Sequence, residues 1–170
     1  MARNVEIKAR IENVGAYVPI LATLATSGPV ETAQDDTFFN CATGRLKLRA
    51  FSNDAGELIF YRRVNQAGPK ESFYIRSPTS SPETLRESLS LAYGQIGRIR
   101  KYRTLYLVGR TRVHLDRVEG LGHFLELEVM LVDDESPEQG IREASELMDQ
   151  LGIKPEQLIE GAYLDLMLAQ

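Results

Sequence analysis

Alternation at every second residue, charge on one face and aliphatic side chains on the other, constrains this chain more than any other feature. Asn4, Glu6, Lys8 and Arg10 share one side of a strand while Val5, Ile7, Ala9 and Ile11 share the other. Far down the chain, Glu126 and Glu128 oppose Leu125, Leu127 and Val129 in the same way. One such strand is an ordinary solvated sheet face. Here the pattern repeats: Arg45, Lys47 and Arg49 alternate with Leu46, Leu48 and Ala50, and Arg110, Arg112, His114 and Asp116 alternate with Thr111, Val113 and Leu115. Five or more strands of this kind are able to close into a barrel whose outside packs on helices and whose inside is charged. Such a lumen suits a polyanion together with a divalent metal.

A length of 170 residues fits a single domain, 1–170, with a well-packed core. The formal net charge of -4 argues against coating nucleic acid or an anionic membrane through the overall field, so neither is an expected partner. Locally the balance is different. Between Gln95 and Arg117, Arg98, Arg100, Lys101, Arg103, Arg110, Arg112 and Arg117 face the single acid Asp116, whereas the stretch from Glu119 to Glu146 is strongly acidic. Cys41 is the only cysteine, which rules out an intramolecular disulfide and fits a reducing compartment. The first residues run into a charged strand with no apolar signal core, and no stretch approaches the ~18 apolar residues of a membrane span. A cytoplasmic location is expected.

Turn and cap signals divide the chain as follows. A strand over 4–11 leads into a helix over 14–25, with Asn13 as its cap, ended by Gly28 and Pro29. Strands follow over 30–40, 45–51, 57–64 and 70–76, the second and third joined as a hairpin by Asn53-Asp54-Ala55-Gly56. A helix from Pro82 to about Ala92 precedes strands over 95–108, 110–118 and 123–132. Ser136-Pro137-Glu138 starts another helix, with Ile141, Ala144, Leu147, Met148 and Leu151 as its apolar stripe. A short helix from Pro155 precedes the tail 163–168.

Several segments together resemble the CYTH superfamily, the triphosphate tunnel metalloenzymes, and most of all its bacterial class IV adenylyl cyclase branch. They are Glu6-Ile7-Lys8, the run GRLKLR ending at Arg49, Lys101-Tyr102-Arg103, RVHLDRVEGLG from Arg112 to Gly122, and FLELEV with Glu126 and Glu128. The resemblance spans essentially the whole chain. It implies an α+β fold, a closed or nearly closed antiparallel β-barrel of about eight strands forming an open tunnel flanked by helices. The family's first motif is E-x-E-x-K, and here its first position is Asn4, which lacks the charge that strengthens a bond to a hard divalent ion.

The resemblance places Lys8, Lys47, Arg49, Lys70, Lys101, Arg103 and Arg112 around a bound triphosphate, and Arg62 is a plausible addition. Alternation independently pairs Lys47 with Arg49 and Lys101 with Arg103 on one face. Lys70, beside Pro69 at a strand start, is equally well explained as a solvated lysine. Glu6, Glu126 and Glu128 match the acids that hold Mg²⁺ or Mn²⁺, and Asp116 is implied to bind a second metal or to position the nucleophile. Glu6, Lys8 and Asp116 are thus the candidate catalytic residues. Arginine grips two phosphate oxygens and lysine acts as a compact charge. The implied ligand is ATP or another triphosphate. The reaction is either cyclisation of ATP to cyclic AMP and pyrophosphate, or hydrolysis of inorganic, thiamine or nucleoside triphosphate; a non-catalytic polyphosphate binder is the remaining alternative. A homodimer is implied by the resemblance alone. His114 reads as a hydrogen-bond partner, His123 as a turn residue, Gly120 and Gly122 as turn glycines, and the acids at 133–135 as a helix-start cluster.

Overall fold

The structure is a computed structural model in which residues 2–170 are described. Its strands are β1 (Ala2–Ile11), β2 (Ser27–Phe39), β3 (Arg45–Ala50), β4 (Gly56–Arg63), β5 (Lys70–Thr79), β6 (Gln95–Val108), β7 (Thr111–Val118) and β8 (Gly122–Leu131). The helices are α1 (Val18–Leu24), α2 (Pro82–Tyr93), α3 (Pro137–Gln150) and α4 (Tyr163–Leu168). All neighbouring strands are antiparallel, in the ring order β1-β5-β4-β3-β2-β6-β7-β8. β1 closes the ring by pairing with β5 on one side and β8 on the other. The barrel expected from the alternating strands is the observed fold.

Closure sorts the two faces of each strand. Val5, Ile7, Ala9 and Ile11 of β1, Val113 and Leu115 of β7, and Leu125, Leu127 and Val129 of β8 point outward and are almost completely buried. Each contributes about 1.5–3 kcal/mol of burial for the larger aliphatics. They are covered by α3 and by the segment 14–24. α3 starts where the sequence places it: the Ser136 hydroxyl accepts from the Glu138 N–H, and Pro137 occupies the first turn. Its buried face, however, runs through Gly140, Ala144 and Leu147, leaving Ile141 37% exposed. The helix lies so close to the sheet that a Cβ at Gly140 would meet Leu131 Cδ2 and Val5 Cγ2 at 2.9 Å.

Three boundaries differ from the sequence reading. The expected helix over 14–25 is a 3₁₀ turn, Val14–Tyr17, followed by α1, because Pro19 supplies no N–H and restarts the helix. β2 begins at Ser27, running through Gly28 and Pro29 with a register shift against β6 between Ser27 and Val30. β5 continues past Arg76 to Thr79. There β1 pairs only with 70–74, so Pro78 lies on a free edge, where its missing N–H costs no ladder bond.

The passage through the ring is stopped at one end. Tyr163 and Leu164 of α4 are buried against Phe38, Ile99, Val118 and Phe124, which face inward from β2, β6, β7 and β8. Gly97 makes room for this seat: a Cβ there would lie 2.6 Å from Leu164 Cδ1 and 2.8 Å from Met167 Cε. Asp165 accepts from the Ala162 N–H (2.7 Å) and from Arg45 Nη2 (2.5 Å), pinning α4 to β3. The tunnel implied by the resemblance is present, and α4 seated at one end gives its lumen the form of a cup. Among the described residues no helix is long and apolar enough to cross a membrane.

Candidate functional site

The lumen is a cavity of about 390 Å³ walled by alternate residues of all eight strands. On its inner wall the β2–β3 register sets Asp36 opposite Arg49, and Lys101 comes from β6 beside Gln34. Arg49 donates to both Asp36 oxygens at 2.8 Å, Lys101 Nζ donates at 3.0 Å, and Lys47 Nζ stands 3.4 Å away. Burial alone would raise the Asp36 pKa, but Arg49, Lys101 and Lys47 outweigh it and hold the carboxyl well below its usual range. One carboxylate shared by three cations leaves the lysines short of compensation. Burial, with Arg49 adding repulsion, pushes Lys47 down to about 8, and burial pushes Lys101 down as well.

A second buried pair is set against Tyr163 at the closed end. Arg103 Nε and Nη2 donate to the two Asp116 oxygens at 2.7 Å, and the Tyr163 hydroxyl donates to Asp116 Oδ2 at 2.6 Å. Burial would raise the Asp116 pKa; the Arg103 guanidinium overrides it and holds the group at about 2. Asp116 is wholly buried and its oxygens are engaged, which does not fit the implied role as a second metal ligand or orienter of the nucleophile. It is a positioning group that fixes the Arg103 fork. Tyr163 also presents its ring face to the Lys8 ammonium at 3.8 Å and to Lys101 at 5.3 Å.

The acidic wall comes from β1, β7 and β8. Glu126 forms an ion pair with Lys8 at 3.2 Å, and Glu128 stands 3.7 Å from Arg112. His114 Nδ1 lies 3.6 Å from Glu126, too far for a hydrogen bond, and has no other partner among the described residues. His114, Glu126 and Glu128 bring ligand atoms within 4.8 Å of one another. Asn4 Oδ1, also buried and without a partner among the described residues, belongs to the same lumen. Two carboxylates, an amide oxygen and an imidazole nitrogen fit a hard or borderline divalent ion of the Mg²⁺ or Mn²⁺ class. Glu6 sits on the same wall opposite Glu128, with its carboxylate engaged by Arg63.

Lys8, Lys47, Arg49, Lys101, Arg103, Arg112, Glu6, Glu126 and Glu128 therefore all line the lumen, as the sequence reading expected. Lys70 is buried rather than solvated, and its ammonium donates to the Gln66 carbonyl at 2.9 Å. Burial pushes it down to about 8. Arg62 is on the wrong face: it is exposed and stacks over Phe60 and Phe73 outside the barrel. Its neighbour Arg63 points inward, in phase with Glu57, Ile59 and Tyr61. Counting by two from the Asn53–Gly56 turn finds Arg63, but both faces of β4 mix aromatic and charged residues, so alternation alone does not choose. Asp36 and Tyr163 carried no signal beyond an unassigned acidic pair and a tail aromatic. Among the described residues the lumen face as a whole holds eight cations, Lys8, Lys47, Arg49, Arg63, Arg76, Lys101, Arg103 and Arg112, against Glu6, Asp36, Glu57, Asp116, Glu126 and Glu128, a positive surplus.

Comparison with known proteins agrees with this geometry. The sequence model of the CYTH domain matches residues 2–163. The adenylate cyclase CyaB of Aeromonas hydrophila is 28% identical over 166 residues, covering 94% of this chain and 85% of that one. The fold superimposes on the PH1012 protein of Pyrococcus horikoshii with a TM-score of 0.84 and 23% identity, covering 96% and 98% of the two chains. A Hippeastrum protein described as having a dominant triphosphatase activity aligns with a TM-score of 0.62 and 16% identity, covering 90% of this chain and 89% of that one. The match of the domain over almost the entire length, on a closed ring with these charged walls, means that the chain belongs to the CYTH domain family.

Proposed function

We propose that this chain is a metal-dependent enzyme acting on a triphosphate held in the lumen, and that its reaction is conversion of ATP to cyclic AMP and pyrophosphate. The observation that carries the reading is the sorting of charge within the cup: a cationic inner wall faces a wall of His114, Glu126 and Glu128. Arg49 and Arg103 are locked by Asp36 and Asp116 before any ligand arrives, so their forks are pre-set for phosphate oxygens. Lys47, beside Arg49 on β3, and Lys8, from β1, add point charges. Glu126 and Glu128, with His114 and Asn4, would hold the divalent ion, which when bound neutralises phosphate charge and makes a hydroxyl easier to deprotonate. In the reaction the ribose 3′ oxygen gives up its proton to solvent and bonds to the α-phosphorus, and the bond from the α-phosphorus to the oxygen it shares with the β-phosphorus breaks, so that pyrophosphate leaves with that oxygen. The 28% identity to a protein named adenylate cyclase over nearly the whole chain supports this choice.

Hydrolysis of a terminal phosphate by the same cup is the second reading, supported by the triphosphatase activity named for the Hippeastrum fold relative. Purified protein incubated with ATP, inorganic triphosphate or thiamine triphosphate, with Mg²⁺ or Mn²⁺, separates the two. Metal-dependent cyclic AMP is the expected product, and phosphate release without it transfers the assignment to a triphosphatase. Glu126→Ala is expected to lower turnover by about a hundredfold or more by removing a central ligand and releasing Lys8. Binding without turnover on every substrate would leave a polyphosphate binder, with Asn4→Glu the variant to assay for gained activity.

A further inference from the structure

Side-chain exposure along the lumen falls in one direction. Arg76 at one mouth is 47% exposed, Arg112 30% and Glu128 15%, whereas Lys8 is 5%, Lys101 2% and Asp116 0%. The deep end is stopped by the Tyr163 ring, held from below by Leu164 and Phe124 and from the side by its hydroxyl bond to Asp116. The ammonium groups of Lys8 and Lys101 lie on that ring, so the deepest cations of the cup and its floor are in contact.

From this we infer that Tyr163 is a specificity-determining residue: the cup reads the free end of a polyphosphate. The inference rests on the triphosphate reading and narrows its substrate class. A ligand enters by the exposed mouth with its unesterified terminal phosphoryl leading, and that group comes to rest against Lys8 and Lys101 over the Tyr163 ring. A nucleoside at the other terminus stays at the mouth. A terminal phosphoryl carrying an alkyl or nucleoside ester would have to place carbon where the ring and the apolar layer beneath it already fill the space. Mononucleoside triphosphates and inorganic triphosphate are therefore accepted, and polyphosphates esterified at both ends are refused.

The test is displacement of a ribose-labelled fluorescent ATP by three competitors: ATP, inorganic triphosphate and the γ-methyl ester of ATP. The wild-type chain, Tyr163→Phe and Tyr163→Ala are compared without turnover. In the wild type the ester is expected to bind about tenfold or more weaker than ATP, the scale of an overpacked contact. Tyr163→Phe keeps the ring and should keep the discrimination. Tyr163→Ala removes the floor and should bring the ester-to-ATP ratio close to one, whatever happens to the absolute affinities. An ester that binds the wild type as well as ATP overturns the inference while leaving the triphosphate reading intact. A penalty that is equal in the wild type and in Tyr163→Ala also overturns it, since the lost charge rather than the floor is then the cause. Failure of both ATP and inorganic triphosphate to displace the label would instead remove the triphosphate reading itself.

Discussion

At the scale of single residues, the lumen shows why like charges tolerate one another out of water. Asp36 and Asp116 each spend their oxygens on cations, so Arg49, Lys101, Lys47 and Arg103 meet the lumen as partly neutralised sets. Compensation is incomplete for Lys47, held down at about 8 by burial and Arg49, and Lys70 titrates near the same value because of burial. Both are charged at pH 7 and lose their protons as pH rises through 8. Affinity for inorganic triphosphate should thus fall between pH 7 and pH 9, by up to about tenfold per pH unit for each lysine that must be protonated. Calorimetry without added metal measures it. Lys47→Arg, permanently charged, should remove that lysine's share of the slope, and an unchanged slope would show that Lys47 does not titrate there. The sequence displayed these residues well wherever strict alternation ran along a strand, as at Lys47 and Arg49. It misplaced Arg62 for Arg63 because β4 carries bulky side chains on both faces. It left Asp36 without a role because the cross-strand register with Arg49 depends on pairing at a distance.

At the scale of elements, the strands were legible and the helix attachments less so. Periodicity two is a local property, whereas the depth at which a helix sits against a sheet depends on which side chains it meets. α3 illustrates this: Ile141 belongs to the apolar stripe by spacing, yet the absence of a side chain at Gly140 draws the helix toward Val5 and Leu131 and turns Ile141 partly outward. Alanine at position 140 would gain about 1 kcal/mol in helix propensity. The contacts at 2.9 Å to two packed side chains are expected to cost more, about 1–3 kcal/mol. Gly140→Ala should be neutral to destabilising by about 1–2 kcal/mol in urea unfolding. A stabilised variant would mean that α3 moves away freely. α4 was the least legible element, since a six-residue tail gives no period long enough to read and its fit depends on Gly97 in another strand.

At the scale of the whole molecule, the buried ion pairs link ligand geometry to stability. Asp116 has a folded pKa of about 2 against an ordinary value of 3.8. Its depressed pKa contributes stability that is present above about pH 4 and lost as pH falls through 2, worth about 2 kcal/mol. Urea midpoints should drop between pH 5 and pH 2.5, and Asp116→Asn should flatten that drop while lowering the midpoint at pH 5. A variant with an unaltered acid slope would show that the pair is not the source. The barrel class was readable because charge recurs on one face of so many segments, and closure of the ring is what gives that face an inside.

Closure also has a temporal side. Both neighbours of β1, β5 and β8, lie downstream, β8 ending at Leu131. During synthesis β1 leaves the ribosome ahead of both partners: its edge toward β5 waits for residues 70–74, and its other edge, with most of its apolar face, waits for residues 123–131 and the helix that follows them. The hairpin of β3 and β4, by contrast, finds its partner within a few residues. The interval in which a nascent chain most needs a chaperone is therefore written into the strand order, and it ends when β8 docks on β1.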